Sequence, residues 1–343
     1  MSAKMIPVVP VTDATLTSST IDEDDYAAWD SGTTYALNDR VIKAHRVWES
    51  VQAANTDNDP ESDDGTWWTD LGATNRWQVF DGIIQTQATQ AESATWVVTP
   101  GAIVSAVSLF NITGATVQIT VTDPTEGVVY DETYDLTDNT NVFDAYSYFF
   151  SPIVTKDTLC VTDLPPYSSA EISVTINNPS GTAAVGQIAF GQPEVFGTTL
   201  DEVPLGIDDY TRLNEDAFGR TTPVIRGYAR TATPAIAVDT YRVTYLERRL
   251  ADQRGTPTVW AFDTKYGDNE LAYLGFYRSF NFLYQHASKT LGKRPFAMNC
   301  LHRYLGLPCK HLMRRQARAR PVIAQGRRRI AQVRHLTAQT TRP

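Results

Sequence analysis

The sequence predicts a mainly all-β protein, on three observations. Val117, Ile119 and Val121 alternate with Thr116, Gln118, Thr120 and Thr122, and Ile172, Val174 and Ile176 alternate with Glu171, Ser173, Thr175 and Asn177. This is the period-2 pattern of strands with one buried face. Turn-forming residues fall between such runs at Thr113-Gly114, Asp123-Pro124, Glu126-Gly127, Leu164-Pro165-Pro166 and Pro179-Ser180-Gly181, the punctuation of short strands in a sandwich or jelly roll. Before residue 283, helical spacing is confined to one stretch, 246–253, where Leu246 and Leu250 stand four apart among mixed charges and Gly255 follows.

Five segments separate along the chain. Residues 1–25 are polar and end in Ile21-Asp22-Glu23-Asp24-Asp25; mutual repulsion favours an extended, solvated N-terminal arm. Residues 26–74 hold four of the seven tryptophans, Trp29, Trp48, Trp67 and Trp68, with Tyr26 and Tyr35, and read as a small aromatic module. Residues 75–195 carry the alternating runs and form the β-sandwich. Residues 196–282 continue the β pattern through 223–230 and 235–246, add the short helix, and end in an aromatic strand at 271–283, giving a second small β domain. Residues 283–343 lose that pattern and form a basic tail, partly helical or disordered.

The 343 residues suffice for two or three domains. The net charge of −9 is an average of two unlike parts. Through Glu270, the last acid, 15 Lys and Arg stand against 39 Asp and Glu, a balance of −24; beyond it come 15 Lys and Arg and no acid. Such a body repels nucleic acid and anionic membranes at long range, whereas the tail attracts both. No apolar run approaches the ~20 residues of a membrane-spanning helix, so no membrane insertion is expected. The N-terminus lacks the apolar core of a secretory signal, and three cysteines argue against a disulfide-built scaffold.

The aromatic module runs Ala28-Trp29-Asp30-Ser31-Gly32-Thr33-Thr34-Tyr35-Ala36-Leu37-Asn38-Asp39-Arg40-Val41-Ile42, then Trp48-Glu49-Ser50 and Trp67-Trp68. It resembles the small chitin-binding type of carbohydrate-binding module over about fifty residues. It departs where Asn38 replaces the family's usual glycine, although Asn tolerates the left-handed backbone that the turn would require. The resemblance implies sugar contact, in which the C–H face of a pyranose lies on a flat ring. Trp48, Trp67, Trp68 and Tyr35 are the contact candidates; the alternative is that these rings are the module's own core, since so small a unit needs large side chains to hold together. In a strand, Trp67 and Trp68 point to opposite faces, so one is expected buried and the other exposed.

Further strings, Asn75-Arg76-Trp77-Gln78-Val79-Phe80-Asp81-Gly82, Asp163-Leu164-Pro165-Pro166-Tyr167, Val185-Gly186-Gln187-Ile188-Ala189-Phe190-Gly191, Gly206-Ile207-Asp208-Asp209-Tyr210 and Phe218-Gly219, resemble structural proteins of the tail tip or distal tail of tailed bacteriophages. The resemblance covers about residues 1–282. It implies a galactose-binding-like jelly-roll sandwich beside the carbohydrate-binding-like module, assembly with copies of itself and with other phage tail proteins, location in the virion tail after synthesis in the bacterial host cytoplasm, and contact with host cell-surface polysaccharide. The rival expectation is a free carbohydrate-binding protein or a polysaccharide depolymerase.

Catalysis is not expected. His45 is the only histidine before His286, and its neighbours Lys43 and Arg46 would disfavour its protonated form. No Gly-x-Ser-x-Gly, His-Glu-x-x-His or phosphate-cradling glycine loop is present. Paired carboxylates for glycoside hydrolysis stay open, because sequence does not give their separation. The loop 57–65 is rich in carboxylates, but Pro60 interrupts any Ca²⁺-ligand register, so it reads as a solvated acidic loop. Cys300, His302, Cys309 and His311 lack the ligand spacing of a zinc site, and no metal or cofactor is expected.

The tail admits three readings: a nucleic-acid-binding arm built on Arg314–Arg320 and Arg327–Arg329, a helix over 322–338 lying on an acidic partner surface, or an out-of-frame extension whose acids vanish as the family resemblance stops.

Overall fold

A computed structural model describes residues 2–138, 142–152, 154–199, 203–215, 218–262 and 271–281, and the backbone of 297–301. The protein is mainly β. Its first layer is an antiparallel sheet in which Leu16–Ser19, Ala88–Val98, the first half of Glu171–Gly191, Thr116–Asp123 and Gly127–Asp135 lie side by side. The second layer pairs the other half of Glu171–Gly191 with Ala106–Thr113, which in turn pairs with Thr158–Val161. The two sheets share their longest strands, so the chain turns a corner between layers without a loop. At that corner Pro179, Ser180 and Gly181 are exposed. Ser180 has φ 62°, and Glu92 in the partner strand has φ 61°, as an insertion that bends both strands requires.

The inner faces bury Ile172, Val174 and Ile176 with Val117, Ile119, Val121 and Trp96 against Val107, Leu109, Val185 and Phe190. This is the β-sandwich that the alternation predicts. The second layer departs from simple alternation: 183–191 is buried at every residue, because its outer face is covered as well. There Ala106, Phe110 and Ala189 meet Ile6, Val259, Ala261, Ala272 and Leu274 of a third sheet. Gly186 sits where a side chain has no room, since a Cβ would lie 2.2 Å from the Ile84 carbonyl oxygen.

The third sheet runs Ile236–Ala237, Glu194–Thr199, Ser2–Val9, Thr258–Phe262 and Leu271–Asn281, all antiparallel. Its far side packs Met5, Phe196, Trp260 and Phe262 against Leu246 and Leu250 of the helix Val243–Asp252. Two expectations are corrected here. Residues 1–25 are not a solvated arm: Ser2–Val9 is a central strand in which Ala3, Met5 and Ile6 are at most 1% exposed, because layers cover both of its faces. Leu16 and Ile21 are also buried in the sandwich core. The β pattern read through 235–246 ends at Ala237, and the helix starts three residues before Leu246; the buried pair Leu246 and Leu250 is the one its spacing indicated.

The tail does not begin cleanly at 283. The backbone of Ala297–Leu301 pairs with Leu271–Asn281 and with Tyr228–Ala232. The cysteine and histidine side chains of the tail, its arginine tracts and the helix expected at 322–338 lie outside the described residues. Among the described residues no helix is long and apolar enough to cross a membrane.

Candidate functional site: the aromatic module

The module folds on Arg40–Lys43, Arg46–Ser50 and Trp68–Ala73, a three-stranded antiparallel sheet, with a short pair, Thr34–Tyr35 and Asn55–Thr56, beside it. Asn38 takes φ 69° at the turn where glycine is usual. The Asp39 carboxylate accepts from the Ala36 N–H at 2.6 Å, closing the loop. Tyr35, Val41 and Trp68 form the mini-core, and Trp29, Trp48 and Trp67 pack around it.

This placement divides the four candidate contact residues. Trp68 is 1% exposed and Tyr35 8%; their rings meet edge to face at 5.2 Å, the Trp68 indole N–H donates to the Asn58 carbonyl at 2.8 Å, and the Tyr35 hydroxyl accepts from the Asp30 N–H at 2.7 Å. Neither can stack on a sugar, and both are withdrawn as contacts: a module this small uses its largest rings to exclude water from itself. Trp48 and Trp67 are partly exposed. Trp67 and Trp68 thus differ in burial, as adjacent residues at a strand start do.

Trp29 joins the partly exposed set. The Lys43 ammonium lies 3.9 Å from its ring centroid, a cation–π contact, and reaches Asp59 at 2.7 Å. The Trp48 indole N–H donates to the Lys43 carbonyl at 3.2 Å, so Lys43 touches two of the three indoles. The buried Trp29 Nε1 meets no acceptor among the described residues. Tyr26, more exposed than these, carries Arg40 over its ring, and Arg40 also pairs with Glu49 at 2.8 Å. Sequence reasoning passed over the Lys43 and Arg40 contacts because neither cation is adjacent in sequence to its ring.

The acidic loop is wired to its own backbone rather than simply solvated. Asp63 accepts from the N–H groups of Gly65, Trp67 and Trp68 at 2.9, 3.1 and 3.0 Å, which fixes the tryptophan pair. Hydrogen bonds from Lys43 and from the Glu61 N–H hold the Asp59 carboxyl below its usual range, and those of Thr66 do the same for Asp64. Among the described residues no group of three His, Cys, Asp or Glu gathers to hold a metal ion.

His45 joins the module to the sandwich. It occupies the hairpin turn between the first two strands with φ 62°. Its Nδ1 lies 2.9 Å from Glu23, its Nε2 2.9 Å from Asp13, and its ring stacks on Trp77 at 4.4 Å. Burial pulls its pKa down, but the hydrogen bonds and charges of Asp13 and Glu23 outweigh this and hold it above the ordinary histidine value. The expectation from Lys43 and Arg46 is therefore reversed: the groups that face the ring are acids from distant sequence, while Arg46 pairs with Asp70 at 2.6 Å. Beyond the joint, burial pushes Asp81 up to about 6 against the hydrogen bonds of Ile83 and Thr86 and the charge of Arg46. Comparisons with protein families, with curated proteins and with solved structures find no match.

Proposed function

We propose that this chain is a structural component of a bacteriophage tail tip whose aromatic module contacts host surface glycan. The observation that carries the glycan contact is the trio Trp29, Trp48 and Trp67, packed around one mini-core and each only partly buried. Rigid, partly wet rings give a pyranose face a flat apolar platform at little entropic cost. Lys43, whose ammonium covers one face of Trp29 and pairs with Asp59, supplies a donor for the hydroxyls of a sugar placed on the other rings. The tail assignment is supported by the resemblance of the strings through residue 219 and by apolar surface outside the module, described below.

Glycan-array binding by the full chain tests the first half. Binding to bacterial polysaccharide that falls at least tenfold in Trp67→Ala, with unchanged circular dichroism, is the expected result. Absence of binding at millimolar glycan would reduce the module to an assembly domain. Mass spectrometry of purified phage particles tests the second half, and release of reducing ends from the polysaccharide would favour the depolymerase instead.

A further inference from the structure

Two apolar surfaces lie outside the module. The first is the turn around the helix Ala145–Phe150, capped by Asp144 and Ser147. Phe143, Tyr146, Tyr148, Phe149 and Phe150 are 70–88% exposed, and no residue of the helix is buried. At roughly 150–250 Å² per aromatic side chain, five rings about three-quarters exposed present on the order of 700 Å². This exceeds the roughly 300–600 Å² patch typical of a monomer and matches the roughly 800 Å² that each partner buries in a stable interface. The second surface is a β-ribbon: Leu205–Asp209 pairs with Tyr228–Ala232, and Arg212–Glu215 pairs with Thr221–Val224. Leu205, Ile207, Leu213 and Ile225 on it are 53–84% exposed.

We infer that these two surfaces are the two halves of one contact, the aromatic turn of one copy seated on the β-ribbon of the next. This inference rests on the structural reading above and names its partner, a second copy of this chain. Shape argues for unlike halves. The turn has no buried residue, so two turns facing each other would touch over little area, whereas a ribbon whose strands Leu205–Asp209, Arg212–Glu215 and Thr221–Val224 are exposed at every residue can lie along such a turn.

Charge argues the same way. Copies carrying a net −9, with −24 concentrated in the first 270 residues, repel one another, so contact is favoured where net charge is small. Residues 142–152 hold a single charged residue, Asp144, and 203–228 hold four acids against three arginines. A contact between unlike patches leaves one of each free at the ends and propagates to a closed ring or a filament, whereas a contact between like patches stops at a dimer.

Sedimentation of the full chain tests this with two paired variants, Phe149→Asp with Phe150→Asp in the turn and Ile207→Asp with Leu213→Asp in the ribbon. The unaltered chain is expected to form species larger than a dimer at 10–100 μM (on the order of ordinary protein affinities), and each variant alone to be monomeric. An equimolar mixture of the two variants is expected to form a dimer and nothing larger, because only one intact turn and one intact ribbon meet. A monomeric unaltered chain, variants that still assemble, or a mixture that stays monomeric would each overturn the inference. All four positions are exposed, and circular dichroism identifies any variant that fails to fold; Phe149→Ser and Ile207→Ser then replace the aspartates in the same mixture. Failure here leaves glycan binding and presence in particles untouched, so the two readings fall separately.

Discussion

Ser2–Val9 and Leu205–Asp209 are strands of the same extended sheet system with opposite surroundings. The first lies between Glu194–Thr199 and Thr258–Phe262 with Met5 on one packed face and Ile6 on the other. The second is exposed at every residue. Their sequences do not announce this. Both are short, both mix apolar with polar residues, and the buried one carries a lysine and a proline. The difference teaches that a strand's burial belongs to the layers around it, and that period-2 reading presumes one wet face.

The sharpest way to break the comparison is to put the same charge in both strands. Met5→Asp buries an unpaired carboxylate between the third sheet and the helix, and the chain is expected to lose its folded state, read as loss of near-ultraviolet circular dichroism and rapid proteolysis. Next comes the adjacent tryptophan pair, which repeats the contrast within two residues. Trp68→Ala is expected to destabilise the module by about 3–5 kcal/mol and Trp67→Ala by clearly less, measured by urea unfolding followed through the remaining indoles.

A third test uses pH. Asp81 is held protonated in the folded state up to about 6. An acid whose folded pKa is raised is penalised once it ionises, so stability falls as pH rises from about 4 to 6 and stays low above that range, by at most about 3 kcal/mol. Asp81→Asn is expected to remove most of that slope. His45 acts in the same direction by the opposite charge: its raised pKa contributes stability below about 6.5 that is lost as pH rises through the folded value, and its half-exposed pairs keep that contribution small. Unfolding midpoints from pH 4 to 8 check both groups. The smallest effect belongs to the exposed strand, where the same change, Ile207→Asp, is expected to alter stability by no more than about 0.5 kcal/mol.

Much of the sandwich was legible because its first sheet keeps one wet face, so polar Thr, Gln, Ser, Glu and Asn mark every second position along Thr116–Asp123 and 171–177. The second layer was not legible as such: Ala106–Thr113 opens with five buried residues in succession, a run whose meaning depends on the third sheet packed outside it. The helix Val243–Asp252 was found through Leu246 and Leu250, but its first turn contains Val243 and Tyr245, residue types that favour strands. The helix Ala145–Phe150 was missed because its rings follow no face, and its cap is Asp144 with Ser147 rather than an acid at the third position. In the module, the motif located the aromatic cluster, while the division between core and wet rings depends on Asn58, Asp30 and Lys43, whose roles appear only when the loop closes.

The strand Glu171–Gly191 has a mechanical consequence. Along its 21 residues it is hydrogen-bonded to Ala88–Val98, Ala106–Thr113, Thr116–Asp123 and the end of Ser2–Val9. A pull delivered at the module enters the sandwich through Thr74, Asn75 and the His45 joint, and reaches a spine that yields only if several parallel rows of hydrogen bonds shear together. Such a load is thereby shared among three sheets instead of concentrating at one hairpin.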